Sequence, residues 1–263
     1  MPPTLSTLYR YPVKSLRGES LAASPVGPQG VWLDRTWMVA DANGRLVTGR
    51  DYPELVRVTA TPAEGGVWLR ATGQPALWVA NTSFTTPHSA TVWSSTFAAW
   101  HGCDEADAWL SRYLGARVRL LWAGEHATRR VKSDPTVPVA FADGYPLLLI
   151  GQASLDDLCV RVGRPLAMER FRPNLVVSGA AAYAEDGWTR IRIGGLPFRV
   201  VKACERCVFT TIDPETGSKS LDQEPLRTLA TYRRAPEGVL FGQNVICEGA
   251  GRLEVGMAVE VLE

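Results

Sequence analysis

The chain has 263 residues, 46% of them hydrophobic and 21% charged, with 28 basic and 27 acidic side chains for a net charge of +1; it is long enough for one large or two ordinary domains with a buried core. The charge balance excludes a broad basic footprint for nucleic acid or an anionic membrane, and no apolar stretch approaches the roughly 20 residues of a membrane span. No signal-peptide core follows Met1, and five unevenly spaced cysteines do not make a disulfide framework, so a cytoplasmic protein with free thiols is expected.

In chain order, residues 28–97 alternate apolar and polar side chains between frequent turn signals. Thr36-Trp37-Met38-Val39-Ala40 and Arg45-Leu46-Val47-Thr48 flank Asn43-Gly44 and read as a hairpin. The runs at 66–70 and 76–80 flank Thr72-Gly73-Gln74 and extend the pattern to a meandering barrel or sandwich. Six tryptophans (32, 37, 68, 78, 93 and 100) fall in or at the end of this portion; without interleaved basic residues they are expected to pack the barrel rather than stack on bases.

Residues 104–114 place Ala106, Trp109, Leu110, Tyr113 and Leu114 on one helical face, with Gly115 as the stop. The polar stretch 124–135 reads as a loop, with His126 solvated. A strand at 146–150 leads to a helix with a capping-box start at Ser154, whose apolar side makes Cys159 a core thiol. Further strands are expected at 174–177, 190–193, 198–201, 244–246 and 258–261, with a short helix opened by Pro225.

Ala203-Cys204-Glu205-Arg206-Cys207-Val208-Phe209-Thr210-Thr211 is the segment that points to chemistry. Two thiols leave an apolar strand beside an arginine and meet the turn-forming Asp213-Pro214-Glu215-Thr216-Gly217. A thiolate there suits a soft metal, but a single Cys-x-x-Cys cannot complete a four-thiolate zinc site. On these residues alone, a plain strand thiol pair and half a zinc site both remain open.

Three separated segments carry a family resemblance. Tyr9-Arg10-Tyr11-Pro12-Val13-Lys14-Ser15-Leu16-Arg17-Gly18 resembles the opening signature of the MOSC N-terminal β-barrel domain. Phe171-Arg172-Pro173-Asn174-Leu175-Val176-Val177-Ser178-Gly179, then Ala182-Tyr183-Ala184-Glu185-Asp186-Gly187-Trp188, then the cysteine segment follow in the order and spacing of MOSC-domain proteins of the mitochondrial amidoxime-reducing component and its bacterial relatives. The resemblance implies a mainly β protein with some helices (α+β): an N-terminal MOSC-type β-barrel domain at 1–120 packed on a MOSC β-barrel domain at 121–263.

It also implies a molybdenum cofactor (Mo-molybdopterin) between the domains, with Cys207 as the metal ligand. Lys14, Ser15, Arg35, Gly144, Tyr145, Arg172, Asn174, Glu205, Arg206 and Asn244 match cofactor-contacting positions. Tyr145 stands where relatives carry a small polar residue, and Asn244 where the animal enzymes carry a tyrosine. Asp143 is a candidate for proton delivery or for orienting a neighbour. Pro173 is expected to restrict the φ/ψ of Arg172 and fix its backbone direction.

The implied activity is reduction of N-hydroxylated compounds: amidoximes, hydroxylamines and N-hydroxylated bases. The Cys-x4-Cys-x2-Cys run of a plant-type ferredoxin is missing, so electrons are expected from a separate protein of the ferredoxin, cytochrome b5 or flavin-reductase type. The alternative is a cofactor or sulfur carrier with a persulfide on Cys207, as in the MOSC modules of cofactor sulfurases, whose pyridoxal-phosphate domain is not recognised here. A structural barrel binding some other anion is the blandest reading.

Overall fold

The computed structural model describes residues 2–262. The largest sheet has nine strands, ordered 259–261, 190–193, 196–206, 238–247, 147–151, 175–178, 4–10, 19–21, with 234–235 paired onto 238–247. Every pairing along it is antiparallel except Leu147–Gly151 beside Leu175–Ser178. Parallel neighbours need a crossover, and the helix Gln152–Val162 supplies it. Strands from the first residues of the chain thus hydrogen-bond to strands from its second half.

A five-stranded sheet is built from 86–92, 95–101, 119–122, 37–40 and 13–14. Against it pack the meander 59–63, 66–70, 77–80 and the helix Asp104–Leu114, enclosing Trp37, Leu55, Leu69, Trp109, Leu110 and Leu120. That helix has the bounds its periodicity predicts. Asp104, Glu105 and Asp107 complement its positive end, and Gly115 closes it at φ 63°.

The Asn43-Gly44 hairpin forms, with Val47 N–H donating to Val39 O and Gly44 at φ 76°, although the return limb pairs only through single bridges. The strand expected at 198–201 runs from Leu196 to Arg206, with register irregularities at 200–202 and 203–205. Those irregularities turn the cysteine segment out of the regular pleat.

Several expectations give way. The second helix starts at Gln152, so Ser154 lies inside its first turn and does not cap it; Ser154 Oγ donates to the buried Glu185 Oε1 at 2.7 Å instead. Cys159 is half-buried, its Sγ accepting the Leu166 N–H at 3.3 Å. Of the six tryptophans, only Trp37 is fully buried, while Trp32, Trp93 and Trp100 are 50%, 47% and 39% exposed. The polar stretch 124–135 holds a buried Arg129 and a strand at 130–131 paired to 134–138, while His126 is exposed as expected. Arg172, restricted by Pro173, is left-handed, at φ 56°.

Candidate active-site cleft

Lys14 ends a two-residue strand laid parallel to Trp37–Ala40. The segment is pinned from both ends: Arg35 N–H donates to Tyr11 O at 2.8 Å, Tyr11 N–H to Asp34 Oδ1 at 2.8 Å, and Trp37 N–H to Pro12 O at 3.1 Å. Ser15 and Arg35 sit at φ 69° and 47°, and Arg172 joins them in this left-handed region. Three non-glycine residues in a costly conformation around one cavity mark a place where surrounding structure over-determines the backbone.

Tyr11 organises the cations. It is 0% exposed, and the guanidiniums of Arg35 and Arg172 stack against its ring with Cζ 4.3 and 4.2 Å from the centroid. Neither arginine gains this position from a carboxylate alone; the ring quadrupole holds both charges close together. Arg35 also donates to Asn174 Oδ1 and to Arg172 O, each at 3.0 Å, as well as to Asp34. Arg172 Nη1 donates to Leu16 O at 2.7 Å, while its Nη2 is sealed from solvent without a partner. Enclosure and the neighbouring Arg35 charge push Arg172 down to about 10.

Asn174 ties the two halves of the chain together. Its Nδ2 donates to Tyr9 O at 3.2 Å, its Oδ1 also accepts Leu148 N–H at 3.3 Å, and its backbone N–H donates to Leu148 O at 2.8 Å. The loop before that strand is braced by Arg129, which donates to the carbonyls of Ala140, Ala142 and Asp143.

Asp143 Oδ1 accepts from Lys14 Nζ and from Trp93 Nε1–H, each at 2.7 Å. Its side chain is 71% exposed, open to the cleft, whereas that of Lys14 is only 9% exposed. Enclosure by the cleft walls opposes ionisation of Asp143. The Lys14 charge and hydrogen bond, the Trp93 N–H and Arg35 outweigh it and hold the carboxyl well below the usual range. Burial lowers Lys14 from its ordinary value, and Asp143 offsets part of that.

Cys207 follows the long strand and opens the turn Val208–Thr211, its carbonyl accepting Thr210 N–H at 3.0 Å. Arg206 faces the other thiol: Nη1 donates to Cys204 Sγ at 3.0 Å and Nη2 to Phe171 O at 2.7 Å. Glu205 is exposed and paired to Lys202 at 2.7 Å. All five cysteines are free.

A cleft of about 480 Å³ collects these groups. Lys14, Ser15, Arg35, Asp143, Gly144, Tyr145, Arg172, Asn174, Glu205, Arg206, Cys207 and Asn244 all line it. The Tyr145 hydroxyl meets Ser133 Oγ at 3.0 Å, and Asn244 Nδ2 reaches Ala203 O at 3.5 Å. Trp93, Arg50, Cys204 and Phe209 line it too; nothing in the sequence marked Arg50, and Trp93 was expected to pack the barrel. Tyr11 and Arg129 act from behind the wall. Tyr11 stood inside the opening motif, while nothing local distinguishes Arg129 from a solvated arginine.

Comparison with known proteins agrees with this arrangement. Residues 2–117 match the MOSC N-terminal beta barrel domain and residues 136–260 match the MOSC domain. The mitochondrial amidoxime reducing component 2 of Bos taurus is 33% identical, aligned over 96% of this chain and 81% of its own. The mitochondrial amidoxime-reducing component 1 of Homo sapiens is 32% identical over 98% and 83%, and that of Danio rerio 35% over 97% and 83%. Identity at this level, sustained across both halves that meet at Asn174, leaves one conclusion: the chain belongs to the MOSC family, in its branch with the amidoxime-reducing components.

Proposed function

We propose that the protein is a molybdenum-cofactor-dependent reductase of N-hydroxylated compounds, served by a separate electron-donor protein of the ferredoxin, cytochrome b5 or flavin-reductase type. The observation that carries this reading is the meeting of Cys207 with Lys14, Arg35, Arg172 and Arg206 on one cleft, in a chain akin to amidoxime-reducing components.

The residues fit such a cofactor. A thiolate is a soft, strongly donating ligand for a redox metal. Arg172 Nη2 and Arg206 Nε are sealed N–H groups without partners, on side chains that line the cleft; orphaned guanidinium donors of this kind suit a phosphate or a polar ring. Cys207 would hold the metal, Arg172, Lys14 and Ser15 the phosphate end, and Asn174, Arg206 and the loop amides of Gly144 and Tyr145 the pterin.

When bound, the cofactor supplies two-electron removal of oxygen, in which N–OH, two electrons and two protons give N–H and water. The chain manages the protons and the geometry. Asp143 is ionised at neutral pH, so it accepts and orients rather than donating first. Lys14 carries the proton of that pair and burial loosens its hold, while Asp143, held ionised, accepts its hydrogen bond and orients the ammonium.

The test is molybdenum and pterin content, with benzamidoxime reduction by an artificial donor, for wild type and Cys207→Ser from a cofactor-competent host. Metal and turnover are expected in the wild type and lost in the variant. A metal-loaded wild type that turns over no faster than the variant overturns the reductase. A labile extra sulfur on Cys207 without molybdenum identifies a sulfur carrier instead.

A further inference from the structure

Trp93 is left unused by the cofactor reading. It occupies the first position of the two-residue turn joining Thr86–Val92 to Ser95–His101. Its φ of 53° puts a bulky aromatic where such turns take glycine, asparagine or aspartate. A conformation of this kind persists only where its surroundings impose it, and it gathers at ligand clamps.

Two contacts fix the indole. Nε1–H donates to Asp143 Oδ1 at 2.7 Å, and the Arg50 guanidinium lies over the ring with Cζ 4.4 Å from the centroid. The residue is 47% exposed and lines the cleft. Burial does not account for a ring so strained and so oriented, but a contact surface does. It lies at the mouth: Asp143 bridges it to Lys14, which is 7% exposed at the floor.

Arg50 displays what this surface accepts. A guanidinium is a planar, conjugated N–C–N group, and here it rests on an indole anchored to a carboxylate. Amidoximes, N-hydroxyguanidines and N-hydroxylated bases share that planar unit, whereas simple hydroxylamines do not. We infer that Trp93 is a stacking platform at the cleft mouth that selects planar N–C–N substrates, which replace the Arg50 guanidinium on the indole beside Asp143. The word substrate rests on the reductase reading; the platform itself does not.

The protein as purified from a cofactor-competent host is titrated calorimetrically with benzamidine, the planar product-type probe, and with cyclohexylamine, a cation lacking the planar unit. Trp93→Leu weakens benzamidine binding about tenfold, the loss of one stacking contact of about 1.4 kcal/mol. Trp93→Phe keeps most of the affinity, Arg50→Ala raises it several-fold by removing the competitor, and cyclohexylamine responds to none of these. In turnover, the ratio of kcat/KM for benzamidoxime to that for hydroxylamine falls about tenfold in Trp93→Leu. Benzamidine affinity equal in wild type and Trp93→Leu, or lowered by Arg50→Ala, overturns the platform. A protein that reduces both compounds with an unchanged ratio in Trp93→Leu loses the platform and keeps the reductase. One that reduces neither, yet binds benzamidine through Trp93, keeps the platform and loses the reductase.

Discussion

Gly18 lies so close to Tyr11 that a Cβ on it would sit 2.3 Å from Cε1 and 2.6 Å from Cδ1 of the ring. The glycine is therefore part of the cation cradle, because the ring it admits carries Arg35 and Arg172 on its faces. Gly18→Ala forces the ring to shift and destabilises the fold by about 1–3 kcal/mol, as overpacking does. It also lowers molybdenum retention more than an equally destabilising change elsewhere. Chemical unfolding and metal analysis of the same samples check both parts.

Asp143 sets a pH signature. Its folded-state pKa is depressed, so its contribution to stability is complete above the unfolded value of about 3.9 and disappears as pH falls below that. The gap in unfolding free energy between wild type and Asp143→Asn is thus level from neutral pH to about 5 and closes under stronger acid. Urea titrations across that range measure it. A gap that stays level into strong acid would show a carboxyl that is not held by Lys14.

Arg172 yields the opposite limb. With its pKa pushed down to about 10, it loses charge as pH rises through that value, while a free arginine would not. A bound anion that depends on it is released above pH 10, and inorganic phosphate affinity measured from pH 8 to 11 should fall there. Arg172→Lys cannot both stack on Tyr11 and reach Leu16 O, so phosphate binding drops about tenfold at every pH.

Glu185 is a structural counterpart. At 1% exposed, its Oε1 accepts Gly151 N–H at 3.0 Å and Ser154 Oγ–H at 2.7 Å, clamping the start of the crossover helix. Glu185→Ala strands both donors and costs about 2–4 kcal/mol. Thermal unfolding reads this directly, and cofactor content in the surviving folded protein stays near wild type.

What the sequence disclosed was governed by range. The helix at 104–114 was legible because its apolar spacing and Gly115 are local. The cleft residues were legible through three recognisable segments, not through any physical pattern linking Lys14 to Asn174. Trp93 was misread because composition does not reveal which face a turn residue presents. Arg129 was missed because the three carbonyls that hold its guanidinium lie 11 to 14 positions away, and only the folded chain brings them there. Pro173 disfavours the right-handed helical region for Arg172, but the tertiary contacts around Tyr11 chose the left-handed one over the extended one.

The edge-to-edge seating of Thr4–Arg10 against Leu175–Ser178 has a temporal consequence. Ser6 Oγ donates to Val176 O across 170 positions of chain, so the strand Thr4–Arg10 must wait for a partner strand made much later. Contacts of that span close slowly. Tyr11, Lys14 and Asn174 come into register only when this seam zips. The cleft is consequently completed only after both ends of that seam have been made, and the newborn polypeptide has an open seam before it has a closed pocket.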